Sequence, residues 1–168
     1  MTTLTITPSF KDSILNVKLA GKMDETANYS ALRTQIDTLL ASPGLKAAAF
    51  NFEAVSLINS KGIQVWKEFM TGLPAAVRIF YLRCPLRVVN QLNLFPSFNG
   101  GKKVIVKSFY APYWCERCDA ATAVLLQPAA DFVDGKISAP KRNCPKCQTV
   151  LSFDGSEQKY FLFLKRAP

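Results

Sequence analysis

Four of the five cysteines in this 168-residue chain form two Cys-x-x-Cys pairs, Cys115 with Cys118 and Cys144 with Cys147, separated by 25 residues. A thiolate pair at this spacing clasps one metal ion in a tight turn. Two such turns supply four sulfurs, the full tetrahedral shell of one Zn(II) ion at about 2.3 Å per bond. The gap of 25 residues exceeds the roughly 15 to 20 of the template spacing. Two other chemistries use the same residues: a redox-active Cys-x-x-Cys and a pair of disulfides. A cytosolic setting disfavours disulfides, and duplication of the motif disfavours a lone redox pair. A shell filled by four thiolates leaves no open position, so the expected cofactor is one structural Zn(II) per chain, held by Cys115, Cys118, Cys144 and Cys147. Cys84 closes an apolar run and reads as a small buried hydrophobe.

The chain contains no His, which removes the usual general base and the Ser-His-Asp and Cys-His arrangements. Asp24, Glu25 and Glu68 are the carboxylates considered for acid-base work, but no nucleophile converges with them; Asp24 reads as a cap on the first helix. Gly100-Gly101-Lys102-Lys103 lacks the upstream spacing and the following hydroxyl of a phosphate-binding loop. No enzymatic activity is expected. A net charge of +9 admits nucleic acid, anionic lipid or acidic protein as partners. Arg83, Arg87, Lys102, Lys103 and Lys107, with Phe109, Tyr110, Tyr113 and Trp114 as stacking platforms, would suit nucleic acid. They also suit a solvated surface beside aromatics that cover an internal junction.

The positioning elements divide near Phe109. With 49% apolar and 20% charged residues the chain reads as globular. Apolar alternation at Leu4 and Ile6, then at Leu15, Val17 and Leu19, predicts a β-hairpin connected through Pro8 to Asp12. Tyr29, Leu32, Ile36, Leu39 and Leu40 follow helical spacing until Ser42-Pro43-Gly44. Leu45 to Phe52 is apolar throughout, as a strand covered on both faces would be. A second helix opens at Asn59-Ser60, which both supply possible capping side chains, with an inward stripe of Ile63, Trp66, Phe69, Met70 and Leu73. Val77 to Leu82 is a strand, a third helix begins at Pro85 with Val89 and Leu92 inward, and Val104 to Phe109 is a further strand. The order β-β-α-β-α-β-α-β defines an α/β domain over residues 1–109, with a mixed sheet and helices packed on it.

Residues 110–168 carry the cysteine pairs and no helical stripe, and a segment of this size needs a staple. Ala123 to Gln127, Val150 to Phe153 and Tyr160 to Leu164 read as short strands. From Tyr110 to Leu164 the segment resembles the four-cysteine zinc ribbons, a small β-rich module. Combined with the basic surface, this gives the alternative functional reading, a zinc-ribbon nucleic-acid-binding adaptor.

Residues 1–109 resemble the STAS domain of anti-sigma factor antagonists. The resemblance rests on Leu19-Ala-Gly-Lys-Met-Asp24 after the second strand, on the apolar third strand, and on Asn59-Ser60-Lys61-Gly62-Ile63 opening the second helix. The family pattern at the last site is Asp-Ser-Ser/Thr-Gly-Leu, so Asn59 stands in place of the Asp and Lys61 in place of the second hydroxyl. The resemblance implies a partner-switching regulator of transcription. A protein partner, an anti-sigma factor with serine-kinase activity, would bind around Ser60, Asn59, Lys61, Gly62 and Asp24, and phosphorylation of Ser60 would release it. No apolar run reaches the length of a membrane span and the N-terminus lacks a secretory pattern, so a soluble, cytoplasmic protein is expected.

Overall fold

The computed structural model describes residues 3–41, 44–133 and 135–165. Strands β1 (Thr5–Lys11) and β2 (Ile14–Met23) pair antiparallel. Their turn is Asp12-Ser13, with φ of 53° and 63°, the two-residue geometry whose twist matches that of the strands. Most of the expected connection therefore lies inside β1, where Pro8 pairs with Val17. β1 is a sheet edge, which tolerates a residue lacking a backbone donor.

Helix α1 (Ser30–Ala41) buries Leu32 and Ile36. Asn28 organises its start, with Oδ1 accepting from the Ser30 amide and hydroxyl at 2.9 and 2.7 Å. Asp24 does not cap this helix: it lies upstream and accepts from the amide and hydroxyl of Thr26 at 3.0 and 2.5 Å. Ser42 and Pro43, read as the helix stop, lie outside the described residues. Strand β3 (Ala47–Ile58) runs parallel to β2 and to β4 (Arg78–Leu82). It continues beyond Phe52 because β2 stays paired with it to Met23↔Ile58, through register shifts after Lys18 and Gly21. Pairing with β4 ends at Asn51. The ends of β2 and β3 thus project together toward helix α2 (Ser60–Thr71).

Helix α3 (Leu86–Leu94), with Pro85 as its N-cap, and a 3-10 turn at Pro96–Asn99 lead to β5 (Val104–Val106). The sheet order is β1-β2-β3-β4-β5. Each parallel crossover advances in the same direction, and right-handed connections therefore place α1, α2 and α3 on one face. Trp66 sits at the centre of that face, with ring centroids of Phe50, Phe52 and Phe69 at 5.2, 5.5 and 5.4 Å. Its Nε1 donates to the Tyr81 hydroxyl at 3.2 Å.

A second sheet, β7-β6-β8, is antiparallel and comprises β6 (Phe109–Cys115), β7 (Ala120–Leu126) and β8 (Ser152–Phe153). Phe109 opens this sheet and does not end β5, correcting the sequence-based expectation. The two sheets meet at Cys84, whose amide donates to Ser108 O at 3.1 Å and whose carbonyl accepts from the Tyr110 amide at 2.8 Å. One apolar core runs through both, including Phe109, Tyr113, Phe161 and Phe163. Pro128–Asp131 forms a single helical turn, α4. Tyr160 to Leu164, expected as a strand, is helical: α5 (Glu157–Tyr160) and α6 (Leu162–Lys165) flank Phe161. A short apolar run does not distinguish the two states by periodicity. Tertiary bonding does, because the Asn93 side chain of α3 donates to Tyr160 O and accepts from the Phe163 amide, both at 2.8 Å. No helix among the described residues is long and apolar enough to cross a membrane.

Trp66→Ala removes the ring at the centre of the core and the partner of the buried Tyr81 hydroxyl. The expected loss is about 3–5 kcal/mol of unfolding free energy, read from urea denaturation midpoints at an unchanged slope.

Candidate functional site

Helix α2 begins against the end of β2. A Cβ on residue 62 would lie 1.8 Å from Met23 O and 2.8 Å from Asp24 N, so only glycine permits this approach. The Asn59 amide donates to Met23 O at 3.2 Å, tying helix entry to the same strand end. Asn59 is the N-cap: its Oδ1 accepts from the Gly62 amide at 2.7 Å. Ser60 is therefore not the cap. It is the first helical residue and is exposed. With the cap filled by its neighbour, its hydroxyl stands at the amide end of the helix, where the dipole is positive.

Asp24, Asn59, Ser60, Lys61 and Gly62 thus share one corner. Glu25 completes it, with Oε2 accepting from Asn59 Nδ2 at 3.0 Å. This bond, aided by Lys61, holds the Glu25 carboxyl below its ordinary range. Asp24 is lowered chiefly by the Thr26 hydroxyl. The sequence offers Glu25 only as a generic acid, because its partner lies 34 positions away and no local spacing signals the bond. Leu57, 42% exposed near the end of β3, adds apolar surface two positions before the cap.

The four paired cysteines converge at the other end of the molecule. Cys115 ends β6 and Cys118 lies in the turn before β7, while Cys144 and Cys147 form a second turn closed by the Gln148 amide on Cys144 O at 2.9 Å. The residue after each pair, Asp119 at φ 49° and Gln148 at φ 61°, is left-handed, which reverses the chain at both knuckles. Sulfur separations are 3.4 Å for Cys115 to Cys147 and 3.9 Å for Cys118 to Cys144, and all four sulfurs lie within 4.8 Å of one another. A regular tetrahedron of four sulfurs about 2.3 Å from its centre has edges of about 3.8 Å. The residues therefore fit a four-coordinate metal ion, and no two of the sulfurs are bonded as a disulfide.

The local electrostatics agree with the donor set. The Thr149 hydroxyl and amide lower the Cys147 thiol to about 6, and the Cys147 and Lys146 amides lower Cys144. Crowding by the Cys147 and Cys115 sulfurs pushes Cys118 up to about 12, and desolvation raises Cys115. Four sulfurs this close do not all ionise unaided; a bound cation would supply the missing positive charge.

Other candidates take internal roles. Trp66 is fully buried and anchors the core. Cys84 is buried, and desolvation raises its thiol well above the reactive range. Phe109 and Tyr113 are buried and offer no stacking face. Arg83 donates to Glu53 and to the Tyr110 hydroxyl, each at 2.6 Å, and Arg87 donates to the Val55 carbonyl. Glu68 accepts from Gln64, remote from any nucleophile.

No family model matches the chain, and no curated protein matches it. Among solved structures it is similar to the anti-sigma factor antagonist SpoIIAA in its unphosphorylated form. The identity is 23% and the TM-score 0.35, over 48% of this chain and 72% of that one. At that TM-score the likeness carries no weight for fold or function.

Two substitutions separate the contacts that hold this corner. Gly62→Ala forces α2 away from β2 and is expected to cost about 3 kcal/mol by overpacking. Asn59→Ala removes the cap together with the exposed bond to Glu25 and is expected to cost about 1 kcal/mol, mostly from the cap. Chemical denaturation of both variants checks the order; equal losses would place the constraint in the cap.

Proposed function

We propose that this chain is a non-enzymatic regulator built on a STAS-like domain over residues 1–109, with a zinc ribbon over 110–168. Its protein partner, an anti-sigma factor with serine-kinase activity, binds at the start of α2. Phosphorylation of Ser60 releases that partner, which makes the chain a cytoplasmic element of transcription control. The observation that carries this reading is the Ser60 hydroxyl, exposed at the first position of α2 while Asn59 supplies the cap. Modification of Ser60 would leave the cap bond intact.

A phosphate there carries about −1.5 to −2 charges and meets the helix amides and dipole, so the fold tolerates it. Lys61 adds a neighbouring positive charge. A partner packed over a neutral hydroxyl, over Leu57 and beside Asp24 and Glu25 would meet the new charge directly. Burial or like-charge contact of that phosphate weakens binding tenfold for each 1.4 kcal/mol or so. The ribbon role follows from the sulfur geometry: Cys115, Cys118, Cys144 and Cys147 would hold one Zn(II) whose function is to fix the module, because four thiolates leave no coordination position for substrate.

The switch is tested by affinity capture from lysate with wild type, Ser60→Ala and Ser60→Asp, the retained proteins being identified by mass spectrometry. A kinase-like anti-sigma factor retained by the first two and lost by Ser60→Asp is the expected result. The same retained set on all three baits would remove Ser60 from the switch. Metal analysis of reduced protein is expected to return about one zinc per chain. Acidification should release it, because protons compete for the thiolates. A metal content near zero would sink the zinc assignment.

A further inference from the structure

With α1, α2 and α3 on one face, the opposite face of the five-stranded sheet has no helical cover, and its chemistry is one-sided. Strand alternation places Lys18, Arg78, Lys103 and Lys107 there, all exposed. Among the described residues the strands present one carboxylate to this face, Glu53, and it is engaged by Arg83 and Tyr110. At the centre of the face β3 carries Ala47 and Ala49, opposite Arg78 and Phe80 of β4. Both alanines are buried, so the accessible surface there is made by the longer side chains around them. Half-buried Phe80 is one of these, with the Lys107 ammonium 5.0 Å and the Arg78 guanidinium 5.9 Å from its ring centroid. At the end of β4 and β5 a groove of about 530 Å3 is lined by Arg78, Lys102 and Lys103 together with Ile105, which shares the face of Phe80.

We infer that this open sheet face binds single-stranded nucleic acid. Cations spread over several strands match a chain of phosphates. An aromatic ring between two cations matches unstacked bases, since base stacking on an aromatic ring tolerates any sequence. A duplex is a poorer fit, because reading its grooves needs a projecting helix or ribbon and this face is a flat sheet. A protein partner fits less well, because the cations Lys18, Arg78, Lys103 and Lys107 are spread over three strands and only one carboxylate among the described residues, already engaged by Arg83, offsets them. The surface lies apart from Ser60, so its failure and the failure of the phosphoswitch are separately visible.

The test uses the full metal-loaded chain and the fluorescence anisotropy of a labelled oligo-dT and a labelled oligo-U. The expected result is binding that weakens with salt, with a log-log slope of about −0.7 per phosphate contacted. Lys18→Glu, Arg78→Glu and Lys107→Glu combined should weaken it at least about tenfold. Phe80→Ala should weaken it by about tenfold with the salt slope retained. Lys67→Glu, on α2, should change nothing. Circular dichroism and thermal melting verify each fold, and single reversals of Lys18 and Lys107 replace the triple variant should it melt early. Absence of binding at low salt, or full binding by the reversed variants, overturns the inference. So does sedimentation with phosphatidylserine vesicles when neither oligonucleotide binds.

Discussion

The approach of α2 to the end of β2 is the contact on which the proposed partner surface depends. It exists because residue 62 has no Cβ: any larger residue would have to displace the Met23 carbonyl. Once the helix start is set on the strand end, Asn59 meets both the Met23 carbonyl and the Gly62 amide. Glu25 then meets the Asn59 side chain. With its neighbour committed to capping, Ser60 is left exposed at the positive end of a helix. A glycine thus determines, through packing, how a serine two positions earlier is presented.

The second half of the molecule solves a different problem. Its sheet has three strands, one of them two residues long, and strands this few bury too little apolar surface to be stable alone. Two devices compensate. The four-sulfur cluster, which fits a metal ion, would fasten one end once loaded, where β6 and the two knuckles meet. At the other end Phe109, Phe161 and Phe163 join the apolar core beside α3, and Asn93 reaches across to hold the α5–α6 turn. Joined through this shared core, the second sheet extends the α/β core and is not a tethered appendage. That continuity also explains why several aromatics near the junction are inside: they fill the seam between the two sheets.

The sheet's connectivity separates the surfaces available for function. Three crossovers that advance in one direction must stack their helices on one side. The corner around Ser60 therefore lies at the edge of the helical layer, where strand ends and helix starts meet. The opposite face keeps its cations exposed because no element is left to cover it.

Composition and spacing alone singled out the four cysteines that the structure brings together, because Cys-x-x-Cys is a local pattern whose geometry follows from a tight turn. They also settled the alternation of helices and strands in the first half, since the periods of α and β structure are written into neighbouring residues. Tertiary structure decided what depends on residues distant in sequence. It brought Glu25 to the Asn59 side chain, 34 positions away. It turned Tyr160 to Leu164 from strand into helix through Asn93 of α3, and it buried Phe109 and Tyr113 in the seam while leaving Phe80 half open among cations. Each of these outcomes is a choice between local conformations of similar energy or between two faces of an element, and only packing against a distant partner makes one of them lower in free energy.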